Sequence, residues 1–170
     1  ARHTVDALSY AVIEHRTKLR EEFSGFPQSR LRSLRESGES ITRDVYVPLI
    51  AYTGDTAAGP ALYREEFARA KVVITECTFF RSEHRDRARI GKHLHFDELR
   101  ALLEVWEAEA VILTHISRRT TLREVRETLR RQLSESDAAR VHILMDHAAN
   151  RAHFERLAAS MGEEVEAARS

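Results

Sequence analysis

Short apolar runs alternate along the chain with longer stretches whose apolar positions recur at helical spacing. The runs at 8–14, 45–52, 71–75, 110–114 and 141–145 predict strands. Pro48, inside the second, requires an edge position or a bulge, because proline has no N–H for a ladder. Between the first two runs the chain is polar and broken at Gly25 and Gly38. A short helix fits there, with Pro27 in its first turn, Leu31 and Leu34 on one face and Gly38 as terminator. Pro60 opens a helix over 60–70 with Leu62, Tyr63 and Phe67 as its buried side. Residues 80–92 are dense in charge and predict a loop. The stripe Phe96, Leu99, Leu102, Leu103 and Trp106 predicts an amphipathic helix packed on the core. Thr121 and Glu124 form a capping box ahead of Leu122, Val125, Leu129 and Leu133, and a last helix covers about 148–167. Strands alternating with helices, without repeat or linker, predict one α/β domain.

Four of the five strands end on a polar tip. Gly54 turns the chain to present Asp55, Thr75 leads to Glu76, Thr114 leads to His115, and Asp146 follows 141–145. Open α/β sheets bind ligands beyond the carboxyl ends of their strands, so four such tips predict a site along one edge. Aspartate and histidine there are donors suited to a borderline metal such as zinc, and His3, Asp55 and His115 are the candidate ligands.

Composition narrows the setting. The 170 residues carry 27 basic and 27 acidic side chains, so no net field argues for bulk nucleic-acid affinity. The single cysteine, Cys77, rules out an internal disulfide and fits a reducing compartment, here expected to be the cytoplasm. No apolar run reaches the ~20 residues of a membrane span, and no signal-peptide pattern opens the chain. The sequence enters its first strand almost at once and without an initiator Met, so residues upstream are expected.

Three segments resemble motifs of the ribonuclease Z branch of the metallo-β-lactamase superfamily: Tyr52-Thr53-Gly54-Asp55-Thr56, Thr75-Glu76-Cys77-Thr78-Phe79 and Leu113-Thr114-His115-Ile116-Ser117-Arg118-Arg119. His3-Thr4-Val5-Asp6-Ala7-Leu8-Ser9-Tyr10 is similar to a fourth, with Ser9 in place of a glycine. The resemblance implies a metal-dependent hydrolase, a phosphodiesterase using a dinuclear-metal-activated water, with two zinc ions (manganese as the substitute) in the complete site. It makes His3 a ligand of one ion, His115 a ligand of the other and Asp55 the bridge between them. It makes His93 the proton donor to the leaving oxygen and Glu76 the carboxylate that orients it, and it places Arg119 near a substrate phosphate. His93-Leu94-His95-Phe96-Asp97 spells H-x-H-x-D, but Glu98 stands where the family's main metal motif has its last histidine, and the segment opens a helix. It is similar instead to the family's short His-Ser-Thr motif, which leaves His95 solvent-facing or behind the ligands.

The full H-x-H-x-D-H segment is absent. The resemblance therefore implies that residues 1–170 are the C-terminal half of an αββα sandwich, a mixed sheet with helices on its outer face. The inner face is expected to be apolar and covered by the N-terminal half of the same domain or by a second chain carrying that motif. The complete protein is expected to be a homodimer, acting on RNA. The family's RNA-gripping arm corresponds here to the short excursion 16–43, which lacks a Gly-Pro pair and balances its arginines with acids. A related hydrolase of a thioester, sulfate ester or lactone, or a non-catalytic half-domain serving as an assembly partner, are the alternatives.

Overall fold

The computed structural model describes Ala1 and residues 3–167 of the chain. A five-stranded sheet is assembled from strands in sequence order: β1 (Tyr10–Leu19), β2 (Thr42–Tyr52), β3 (Val72–Glu76), β4 (Ala110–Thr114) and β5 (Val141–Ile143). β1 and β2 form a long antiparallel ribbon, and β2 to β5 run parallel, so the sheet is mixed as expected. Helix α1 (Gln28–Glu36) lies in the connection closing the ribbon. Parallel neighbours need crossovers, and these carry α2 (Glu65–Ala68), then α3 (Arg85–Gly91) and α4 (Phe96–Leu103), then α5 (Leu122–Gln132) and α6 (Glu135–Arg140). Helix α7 (His147–Ala167) follows β5.

Alternation along the strands divides the sheet into two unlike faces. Ala51, Val73, Val111, Leu113, Val141 and Ile143 point one way and are buried with Leu62, Phe67, Leu99, Leu102, Trp106 and Val125 from the crossovers. On the other face, Tyr10, Tyr52, Ile74, Ile112 and His142 are register partners in one row across all five strands. Val12, Ile50, Val72 and Ala110 make a second row. Val12 is 54% exposed and Tyr52 40% exposed. The crossover helices cover one face; the other, where His153 of α7 lies beside His142, keeps apolar side chains in solvent.

Several boundaries differ from the sequence reading. The strand at 8–14 begins later and runs to Leu19, so 16–19 and 42–43, expected in the exposed excursion, belong to the ribbon. Pro48 sits at a bulge rather than an edge: Val12 pairs with Ile50 and Ile13 with Pro48, which leaves Leu49 as the extra residue. The helix at 60–70 is broken into a 3₁₀ turn at Pro60–Tyr63 and the short α2, because Arg64 is extended, and Tyr63 is exposed. The charged loop 80–92 contains α3, which buries only Ala88 and is closed by Lys92 in the left-handed region. Helix α6 was not expected, although Ser134 accepts from the Asp137 N–H and caps it. The capping box at Thr121 and Glu124 stands as predicted, and so does the core stripe of α4 from Phe96 to Leu103, whereas Trp106 is buried beyond the end of the helix.

Candidate active site

The carboxyl ends of β2, β3 and β4 converge on one cluster. Gly54 has φ +64°, and a Cβ there would meet the Leu8 carbonyl oxygen at 2.5 Å, so glycine is what lets residues 8 and 9 cross the end of β2. The Ser9 hydroxyl fixes that crossing by donating to the Thr53 carbonyl at 2.6 Å. Serine thus replaces the expected glycine with an anchor of its own. The crossing brings His3 to Asp55: the ligand atoms of His3, Asp55 and His93 lie within 4.8 Å of one another. Thr53 in turn donates to Thr75 at 3.1 Å, tying the end of β2 to that of β3.

Glu76 closes β3, and its side chain has no exposed surface. Three donors satisfy it: the Thr56 backbone N–H at 2.6 Å, the Thr78 hydroxyl at 2.5 Å and Nδ1 of His93 at 2.9 Å. A buried carboxylate needs such partners, and charge-assisted ones are the strong kind. The His93 ring stacks on His115 with centroids 5.0 Å apart and meets the edge of His3 at 4.7 Å. His115 follows β4 with φ +55°, a left-handed conformation that histidine adopts at some expense. That turn points Nε2 toward Asp55, 3.6 Å from Oδ2, while Nδ1 lies 2.8 Å from the Thr78 hydroxyl.

These donors fit a metal. Two donors about 2.1 Å from a tetrahedral zinc stand roughly 3.4 Å apart. The Asp55–His115 separation is 3.6 Å, longer than a good hydrogen bond, and Nε2 of His3 is 3.3 Å from Nε2 of His93. Asp55 lies with His3 on one side and 3.6 Å from His115 on the other. The difference from the sequence reading is His93, which that reading kept out of the ligand set: it falls into both groups of donors, the second being Glu76, His93 and His115.

Other expected residues lie elsewhere. His95 is neither solvent-facing nor in either donor group: it is 5% exposed and caps α4, accepting from the Asp97 N–H and reaching the Arg81 carbonyl. Asp146 pairs with Arg126 at 2.8 Å and accepts from the Ala149 N–H at the start of α7, so the fourth strand tip serves a cap instead of the site. Arg119 is exposed, and its backbone N–H donates to the Ser117 hydroxyl. Cys77 is buried against the core, and burial pushes its thiol well above the ordinary range, so it takes no part. A cleft of about 560 Å³ opens beside His93, and its charged lining is mixed, Lys92, Arg85 and Arg89 with Asp86, Asp97 and Glu98. Thr78, which touches both Glu76 and His115, was quoted in its motif without a role. Its position two residues past a buried glutamate was the available signal.

No family model matches the chain. It is 30% identical over 130 residues to the tRNase Z TRZ1 of Arabidopsis thaliana, covering 75% of this chain and 46% of that protein. To the chloroplastic tRNase Z TRZ2 of the same plant it is 30% identical over 142 residues, covering 80% and 39%. The chain thus spans less than half the length of these curated relatives. Among solved structures it overlaps the metallo-β-lactamase fold protein YhfI of Bacillus subtilis (TM-score 0.43, 16% identity, 61% of this chain and 42% of that one). It also overlaps the short form of human tRNase Z (TM-score 0.37, 22% identity, 46% and 30%). Overlaps this partial add nothing to the sequence comparison. On that comparison, the chain belongs to the ribonuclease Z-like branch of the metallo-β-lactamase superfamily.

Proposed function

We propose that the complete protein is a metal-dependent hydrolase that cuts a phosphodiester in RNA. The observation that carries this reading is the cluster at the ends of β2, β3 and β4, where a buried, three-times-bonded Glu76 holds His93 beside His3, Asp55 and His115. His3, Asp55 and His115 would hold a pair of divalent ions, zinc or, as the substitute, manganese. When bound, the pair supplies a nucleophilic water and stabilises charge on the attacking and leaving oxygens. His93, oriented through Nδ1 by Glu76, gives a proton from Nε2 to the leaving oxygen. The cleft beside it receives the leaving group, with Arg89 and Lys92 at its wall. Arg119, exposed on the loop after His115, contacts a neighbouring phosphate. Further ligands come from the N-terminal half of the same domain, which covers the open face of the sheet, and the complete protein is a homodimer. An unpaired, buried Cys77 supports a reducing compartment such as the cytoplasm.

The test is hydrolysis of a chromogenic phosphodiester by the full-length protein. Asp55→Ala and His115→Ala are each expected to abolish activity and to lower bound zinc measured by metal analysis. Retained activity in both ends the reading.

A second reading keeps the metals and changes the ester, and the excursion favours it. Arg16 pairs with Glu14, Arg20 with Glu22, Arg32 with Glu36 and Arg43 with Glu21, so these arginines are neutralised by neighbours before any RNA arrives. Among the described residues no helix is long and apolar enough to cross a membrane. A panel of tRNA precursor, thioester, sulfate ester and lactone separates the two.

A further inference from the structure

The site as described uses Glu76 and His93 as a pair and His115 as a ligand, and leaves out the side chain between them. Thr78 is 5% exposed. Its carbonyl accepts the Ser117 N–H at 3.0 Å, while the Cys77 N–H before it donates to Thr114 and the Phe79 N–H after it to Leu94. The backbone on either side is therefore pinned to both the end of β4 and the segment that carries His93. The hydroxyl lies 2.5 Å from Oε2 of Glu76 and 2.8 Å from Nδ1 of His115. It has one proton to give. Glu76, as a carboxylate, only accepts, and its other oxygen already takes the Thr56 N–H and Nδ1 of His93. The Thr78 proton therefore goes to Glu76, and the contact with His115 is made by the ring's own Nδ1–H. A neutral imidazole carries a single N–H, so Nε2 of His115 is left bare. That is the atom facing the Asp55 carboxylate across 3.6 Å. Two lone-pair atoms face each other there with no proton between them, which is the electrostatics of a cation seat.

We propose that Thr78 is a positioning residue that fixes the tautomer of His115: its hydroxyl accepts from Nδ1 of His115 and donates to Glu76. The inference rests on reading His115 as a metal ligand, and it deepens that reading. One carboxylate then sets both rings, His93 directly and His115 through a threonine, so the proton donor and the ligand are held in register by a single chain of hydrogen bonds. This explains why the segment after β3 carries a hydroxyl two residues past the glutamate.

The experiment uses the full-length protein with Thr78→Val and Thr78→Ser. Ring-nitrogen NMR on the metal-free protein at alkaline pH reads the tautomer, and zinc affinity is read by competition with a chromophoric chelator. The expected result is His115 protonated at Nδ1 in the unaltered protein and in Thr78→Ser, with Thr78→Val shifting population toward the Nε2–H form. Zinc binding should weaken roughly 10–100-fold in Thr78→Val, the range for outer partners of a ligand, and recover in Thr78→Ser. A proton on Nε2 of His115 in the unaltered protein overturns the proposal, as does Thr78→Val with tautomer and zinc affinity unchanged. Should Thr78→Val fail to fold, the tautomer in the unaltered protein and in Thr78→Ser decides by itself. If the protein binds no zinc at all, the hydrolase reading falls while the tautomer still decides the role of Thr78.

Discussion

Glu76 accepts from three donors and has no water to turn to, so its replacement by an isosteric amide is informative. In Glu76→Gln one side-chain oxygen becomes an NH₂, which then faces either the Thr56 N–H and His93 or the Thr78 hydroxyl. In the first case donor meets donor and His93 loses its fixed orientation; in the second the Thr78 hydroxyl must turn to accept, and His93 is left with a neutral partner in place of a carboxylate that stabilises its charged form. The expected result is a fall of about 10²–10⁴ in kcat, the usual weight of a positioned acid or base, with far-UV circular dichroism unchanged; activity near wild type would show that His93 needs no such partner. Much of this site was legible at the level of residues. Asp55, Glu76 and His115 announced themselves as polar tips on apolar runs, and His3 and His93 came through the family motifs. His95 did not: its ring replaces a Ser or Thr side chain as helix cap, a role that histidine rarely signals. Thr78 was hidden because a threonine after a strand is an ordinary turn residue until its partners are known.

Between the residues and the fold stand the helix ends. Arg140, the last residue of α6, donates to the carbonyls of Leu103, Trp106 and Ala108 and pairs with Asp137, so one guanidinium locks the end of α4 to the helix before β5. Burial pushes the Asp137 carboxyl up, but hydrogen bonds from Arg140 and Ser134 outweigh it and hold the group below its ordinary range. A carboxyl with a depressed folded pKa adds stability that is present in full above its unfolded value and is lost as pH falls through the folded one. Thermal melts of Asp137→Asn should therefore lie below wild type at neutral pH and converge with it below about pH 4. A gap that persists in acid would assign the loss to packing. This clamp, like α3 and α6 themselves, was not legible because those helices have almost no apolar period: α3 buries only Ala88 and α6 buries nothing. The Ser134 cap and the Asp137–Arg140 pair define α6, α3 starts without a side-chain cap, and the complete signature in the sequence, Thr121 with Glu124, belongs to α5.

For the molecule as a whole, the two faces of the sheet set the behaviour. The row from Tyr10 to His142 and the row from Val12 to Ala110 leave aromatic and β-branched side chains such as Tyr10, Val12, Ile50 and Tyr52 in water, and a contiguous apolar face of this kind marks an interaction surface. Residues 1–170 alone should bind a hydrophobic dye and sediment as more than the 19.5 kDa monomer. Tyr52→Lys should reduce both effects, and a clean monomer without dye binding would count against a covered face. The existence of that face was legible from what the family motifs lacked. Its extent was not, because the sequence ended the first strand too early and so missed the length of the ribbon. The strand order has one more consequence. Because every strand pairs with the one before it, the sheet can grow by addition at one advancing edge as the chain emerges during synthesis. Residues 3 to 115 supply the whole cluster, so the edge that carries it is complete in sequence before β5 begins.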